Sequence, residues 1–463
     1  MKTFLFSHFS FLKRSALLLG SLFLGQVLSA QTSSTLEPPA PHDSAYYARM
    51  QWFDNAKLGI FIHWGIYAVD GVSESWSFFN NNVPYDKYMA QSKGFTASNY
   101  NPAEWADLIK ESGAQYTVIT TKHHDGMALW NTKQSKLNVV KQTPAKRDLI
   151  TPFAEEVRKR GIHLGTYYSL LDWSHPDYPN HTRTSVRYDI KKDPARWQKF
   201  CKFNMAELNE VNTNWKPDLI WFDGDWEQTA EAWNAPSVIK MLRKTNPNVI
   251  INSRIQGYGD YATPEIGAPV VRPKARYWEL CYTINDSWGY QQGDTNFKSK
   301  QFLLTTFVDC LSKGGNLLLD ITPKADGTIP QENIDVLKAF GRWTKKHAEA
   351  IYNTRAGVPG DYFIGYTTVN PQKTTLYLYL PYKPVEKVMV KGIVNNIKDI
   401  RVVGQTEKPT YTLYNKLSWS EVPGVLYIDV PERLLDENIT VLALDLEGEL
   451  KVYQGEGQVV TAN

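Results

Sequence analysis

At 463 residues, 42% of them hydrophobic, the chain is long enough for two domains with packed cores. A formal net charge of only +3, with no basic block interleaved with aromatics, argues against a nucleic-acid partner. Three cysteines, Cys201, Cys281 and Cys310, form no disulfide framework and show no metal-ligand spacing; their odd number leaves at least one thiol free or paired between molecules.

In chain order, Lys13 and Arg14 precede the mostly apolar stretch Ala16–Leu28, and Leu28-Ser29-Ala30 offers small residues to a signal peptidase. Residues 1–30 therefore read as a cleaved signal peptide that sends the protein to the periplasm or the exterior. The apolar run is short for a membrane span, so no stable insertion is expected after cleavage. Residues 31–45 follow as a polar, Pro-rich lead-in.

From residue 46 to 354 short apolar runs alternate with helical patterns. The runs are Gly59–His63, Tyr116–Lys122, His163–Tyr167, Asp218–Asp223, Val249–Arg254, Tyr277–Glu279 and Asn316–Asp320. Runs of this length, rich in β-prone residues and bounded by Gly, Pro or polar clusters, predict strands buried on both faces. Between them, Pro102–Gly113, Leu149–Arg160, Arg196–Asn212, Ser237–Thr245, Lys300–Ser312 and Gln331–Tyr352 carry helical periodicity. Pro begins the first of these and Gly ends it. This βα alternation predicts an α/β fold, a TIM-like (β/α)8 barrel, although only seven strands are visible. From about residue 355 to 463 the periodicity changes to strands: Thr374–Leu380, Lys387–Val394, Asp399–Val403, Leu426–Val430 and Ile439–Leu446. They predict a C-terminal antiparallel β-sandwich.

A parallel barrel gathers its chemistry at the C-terminal ends of its strands. In DLIWFDGDW an apolar strand delivers Asp223 among Trp221, Phe222 and Trp226, and Gly224 lets the chain turn. A rigid, partly desolvated carboxylate suits nucleophilic attack; Asp225 is the competitor beyond the turn. A second carboxylate could be Glu265 in DYATPE or Glu279 in RYWELC, and spacing does not choose between them. An Asp and a Glu from different elements fit double displacement at a glycosidic carbon, with partial burial raising the pKa of the proton donor. His63, His123, His124, Tyr167 and Arg254 end or follow other strands, with Glu74 and Trp76 in the loop after the first. His123, His124 and Asp125 invite a metal reading, but neighbouring side chains on an extended backbone face opposite ways. Hydrogen bonds to sugar hydroxyls fit better, and the 15 Trp and 26 Tyr include rings on which sugars could stack.

Together FIHWG at His63, SESW at Glu74–Trp76, TTKHHDG, TYYSLLDW, WFDGDW, NSR at Arg254, DYATPE, WELC with SWGY, and SKGGNLLLDITPKADGTIP resemble the α-L-fucosidases of glycoside hydrolase family 29. The resemblance spans roughly residues 46–350 and extends to the C-terminal sandwich. It implies a retaining exo-α-L-fucosidase without metal or organic cofactor, acting on fucosylated oligosaccharides or glycoconjugates. It matches Asp223 to the nucleophile and His63, Glu74, His123, His124, Tyr167, Trp221 and Arg254 to the fucose pocket. The acid/base varies in position across the family; Glu265 ranks first, since its segment follows NSR closely, and Glu279 is the rival. Ser75 separates a glutamate and a tryptophan that are often adjacent in the family, which loosens the roles of Glu74 and Trp76. TPE and TINDSWGY resemble the branch acting on α-1,3/1,4-linked fucose. Rival readings are an α-L-galactosidase of the same fold and a fucose-binding protein without catalysis. The oligomeric state stays open, a homo-oligomer included.

Overall fold

The computed structural model describes residues 43–455. The expected signal peptide and most of the lead-in lie outside them. Helix α1 (Ser44–Ala56) opens the described chain, with Asp43 capping its first turn. Seven parallel strands then form one curled sheet: β1 (Leu58–Ile62), β2 (Tyr116–Lys122), β3 (His163–Ser169), β4 (Leu219–Asp223), β5 (Ile250–Ile251), β6 (Glu279–Thr283) and β7 (Asn316–Ile321). Their spatial order is β5-β4-β3-β2-β1-β7-β6.

The position missing from the sequence reading is filled by the irregular segment 260–265, which runs between β5 and β6. Parallel bridges join Asn252 to Tyr261, Ala262 to Trp278 and Glu265 to Cys281. Backbone bonds support them, from Asp260 N to Ile251 O (2.6 Å) and from Cys281 N to Pro264 O (3.2 Å). The segment is the eighth stave of the barrel, and Glu265 stands at its C-terminal end.

Five further helices cover the outside: α2 (Pro102–Glu111), α3 (Ile150–Lys159), α4 (Pro194–Trp215), α5 (Ala235–Thr245) and α6 (Lys300–Ser312). Local chemistry starts α2: Pro102 needs no amide partner, and the Asn101 side chain accepts from the Ala103 and Glu104 amides. The barrel interior is packed by Phe61, Tyr116, Tyr167, Trp221, Tyr261 and Leu318. Met50 and Phe53 of α1 join this cluster. Asn316 donates to Phe53 O (2.9 Å) and Tyr46 to Asp260 O (2.8 Å), tying α1 to the strands' N-terminal ends.

After α7 (Gln331–Lys346) the chain builds antiparallel sheets. One has the order β8-β9-β10-β15-β12, from Arg355–Ala356, Tyr366–Val369, Thr375–Leu380, Thr440–Leu446 and Ile397–Val402 respectively. The other has the order β11-β14-β13, from Val388–Lys391, Val425–Asp429 and Thr410–Tyr414. Leu376, Leu378, Val390, Ile428, Leu442 and Leu444 form the core between them. The fold is a (β/α)8 barrel followed by a β-sandwich. No helix among the described residues is long and apolar enough to cross a membrane, and the three cysteines are unpaired.

Candidate active site

Asp223 ends β4, and Gly224 turns the chain behind it at φ 83°. Its two oxygens are engaged separately. Oδ2 accepts from Tyr167 OH (2.9 Å), and Oδ1 from Arg254 Nη1 (3.0 Å). His124 Nε2 stands 3.6 Å from Oδ2. Asp225, the competitor, is turned away to accept from Gln256 N (2.6 Å).

Arg254 links the two candidate chemistries. While Nη1 holds Asp223, Nη2 donates to Glu265 Oε2 at 2.5 Å, and Nε donates to Thr263 Oγ1 (3.0 Å). The guanidinium lies 4.5 Å from the Trp221 ring centroid, a cation–π contact. Burial works against its charge, but Glu265 and Asp223 outweigh that and hold it ionised. Glu265 sits at the rim, its side chain 32% exposed. The next residue, Ile266, is held at φ 68°, a conformation β-branched residues avoid.

Glu279 is placed differently from the sequence reading, which ended a strand with it. It begins β6 and is sealed inside the barrel with no exposed surface. Tyr116 OH (2.5 Å) and Trp221 Nε1 (3.0 Å) donate to its two oxygens. Burial, outweighing both bonds, pushes its carboxyl up to about 7.

The three histidines come together, and each is held through Nδ1: His63 by Asp320 Oδ1 (2.7 Å), His123 by Ser75 Oγ (2.6 Å) and His124 by Ser169 Oγ (2.6 Å). His123 and His124 do not diverge as an extended chain would require, because β2 ends at Lys122 and both lie in the turn beyond it. His123 stacks on Tyr167 (centroids 5.6 Å apart, 4°). Burial drives His63 and His123 well below the usual range and His124 down to about 3, so all three are neutral near neutral pH. Glu74 is buried and accepts from Gly289 N at 2.5 Å; burial pushes it up to about 7 against that bond. Trp76 stacks on Trp226 (6.0 Å, 14°) and meets His124 edge-on.

Three neighbours were not singled out by the sequence reading. Trp288, 5.1 Å from His63, lies within the SWGY motif, and Asp320 ends the apolar run Asn316–Asp320; Ser169 lies two residues beyond the run His163–Tyr167 and becomes a strand end only in the fold. Among the described residues no three His, Cys, Asp or Glu side chains form a metal-holding group.

A family model described as alpha-L-fucosidase matches residues 24–349. Mouse tissue alpha-L-fucosidase is 32% identical over 415 residues, covering 82% of this chain and 87% of that protein. The human tissue enzyme is 30% identical over 454 residues, covering 90% and 93%. Among solved structures, alpha-L-fucosidase isoenzyme 1 from Paenibacillus thiaminolyticus superposes with a TM-score of 0.79 at 31% identity, covering 87% of this chain and all of that one. A family 29 enzyme from Bacteroides thetaiotaomicron, trapped as a covalent intermediate with 2-fluoro-fucosyl fluoride, gives 0.76 at 27% identity, covering 90% and 99%.

Proposed function

The chain belongs to the α-L-fucosidase family, glycoside hydrolase family 29, and on that footing we propose that Asp223 is its nucleophile and Glu265 its acid/base. The protein is a retaining α-L-fucosidase that releases terminal α-L-fucosyl residues from fucosylated glycans. Neither the galactosidase reading nor the inactive one is favoured.

One observation carries the assignment of roles: a single guanidinium, Arg254, hydrogen-bonds both carboxylates through its two terminal nitrogens. That bridge suits the separation of about 5–5.5 Å that retaining glycosidases use. Asp223 attacks the anomeric carbon while Glu265 gives its proton to the departing glycosidic oxygen. The glycosyl–Asp223 ester forms as the glycosidic bond breaks. Glu265, now a carboxylate, takes a proton from water as that water attacks the same carbon, and the ester opens to free Asp223. Tyr167 and Arg254 fix the attacking carboxylate by one bond to each oxygen. Being exposed at the rim, Glu265 can reach both the leaving group and the solvent. Glu279 takes no part in proton transfer, because both its oxygens are engaged inside the barrel.

His63, His123, His124 and Glu74 bind sugar hydroxyls. The neutral imidazoles suit an uncharged ligand, and Trp221 and Trp76 add ring surface. The TPE and TINDSWGY segments support a preference for α-1,3/1,4-linked fucose. The Lys13–Ala30 pattern supports export, which N-terminal sequencing of the mature protein would test. Residues 46–354 carry the chemistry, and the sandwich that starts at residue 355 braces them.

Asp223→Ala should abolish fucose release while leaving the fold intact; near-normal activity would overturn the nucleophile assignment. Glu265→Ala should be rescued by azide, giving the α-fucosyl azide, whereas Glu279→Ala should gain nothing from azide. Rescue of the Glu279 variant instead would exchange their roles.

A further inference from the structure

We propose that Asp320 is a positioning residue for the fucosidase reaction, holding the His63 imidazole through Nδ1 so that Nε2 is presented to a sugar hydroxyl. The inference rests on the reading of His63 as a substrate contact and extends it one shell outward.

Asp320 lies in β7 directly beside β1, its Cα paired with that of Phe61. It has no exposed surface, and Oδ1 stands 2.7 Å from His63 Nδ1. Oδ2 has no hydrogen-bond partner among the described residues. A sealed carboxyl group with one oxygen unsatisfied is costly, because it has given up water for a single side-chain bond, and burial pushes its pKa well above the usual carboxylate range. A hydrophobic residue would fill the same strand position at no such cost, so packing does not account for Asp320. Fixing an imidazole does: a carboxyl oxygen accepting from Nδ1–H sets the tautomer and leaves the Nε2 lone pair as the free function. Nε2 makes no hydrogen bond to any described residue. The ring is flanked by Trp288 (5.1 Å), Tyr167 (5.6 Å) and His123 (6.1 Å), so the rotamer is packed from the sides and pinned from behind.

The other two histidines are held at the same atom, but by hydroxyls. Ser169 Oγ also donates to Leu171 O (2.7 Å), so it can only accept from His124 Nδ1. Only His63 has an ionisable anchor. Losing Asp320 should therefore cost more than losing Ser75 or Ser169.

The test compares Asp320→Ala, Asp320→Asn, His63→Ala and the Asp320→Ala/His63→Ala double variant. The readouts are inhibition by L-fucose, the kcat and KM split, and the 15N signals of His63. Asp320→Ala should weaken L-fucose binding about tenfold or more, and the double variant should bind no worse than His63→Ala, because both changes remove one interaction. Asp320→Asn, whose amide oxygen can still accept from Nδ1–H, should recover part of the affinity and guards against a misfolded alanine variant. The His63 15N pattern should report the Nδ1–H tautomer in the parent and lose it in Asp320→Ala. If the losses multiply in the double variant, or the 15N pattern is the same with and without Asp320, the proposal is wrong. Full affinity in His63→Ala would instead sink the substrate-contact reading beneath it.

Discussion

Glu265 and Glu279 carry the same carboxyl group and are put to opposite uses by their surroundings. Glu265 is partly exposed and faces a cation; Glu279 is enclosed and faces two neutral donors. For Glu279 the pH consequence has a definite sign. Its pKa lies near 7 in the fold against 4.5 for the ordinary group, so between those values the folded state keeps a proton that the unfolded chain releases. Glu279 therefore favours folding fully below about pH 4.5, and that contribution is lost as pH rises through about 7. Glu279→Gln keeps the shape and cannot ionise. Its melting temperature relative to the parent should rise between about pH 5 and about pH 7.5. A pH-independent difference would mean that Glu279 titrates normally. The sequence could name both glutamates as candidates but could not separate them, since enclosure depends on where a strand begins. Tyr277-Trp278-Glu279 looks like a strand reaching its end, yet the ladder of β6 begins at Glu279 and runs on through Leu280, Cys281 and Tyr282.

At the scale of elements, strand ends decide the site. Strands β2, β4 and β7 were legible because their apolar runs are long and bounded on both sides. The eighth stave was not. Asp260-Tyr-Ala-Thr-Pro-Glu265 has a proline that cannot donate to a ladder, and its pairing survives only as isolated bridges. Helix α1 was missed for a different reason: its aromatic residues are spread around the helix rather than along one stripe. The turn after β4 is tighter than its sequence suggests. Gly224 has φ 83°, and a Cβ there would lie 2.4 Å from Leu171 Cγ. Gly224→Ala should thus cost about 1–3 kcal/mol in stability and lower kcat about a hundredfold by displacing Asp223. Thermal melts and steady-state rates measure both. An alanine variant with parental kcat would show that the turn does not set the position of the nucleophile.

For the whole molecule, the sandwich and the barrel share a core. Tyr377, Tyr379, Ile439, Val441 and Ala443 from the sandwich belong to the same buried cluster as Phe307, Phe340 and Trp343 from the barrel's helices. Polar contacts pin that face: Trp343 Nε1 donates to Ile439 O (2.9 Å), Arg401 grips Glu349 (2.6 and 2.8 Å), and Lys346 meets Asp436 (2.6 Å). Exposed ion pairs add little by themselves, so the apolar seam carries most of the coupling. A seam continuous with the barrel's own packing means that neither part can open without stripping the other's core. Calorimetry should therefore show one unfolding transition, with fucosidase activity lost across the same temperatures. Trp343→Ala, which removes a buried ring and its bond to the sandwich, should destabilise that single transition by about 3–5 kcal/mol. A chain ended before Arg355 should expose Phe340 and Trp343 and be recovered insoluble. Two separated transitions, with activity following only the first, would instead mean that the barrel stands alone and that the seam is a contact rather than a shared core.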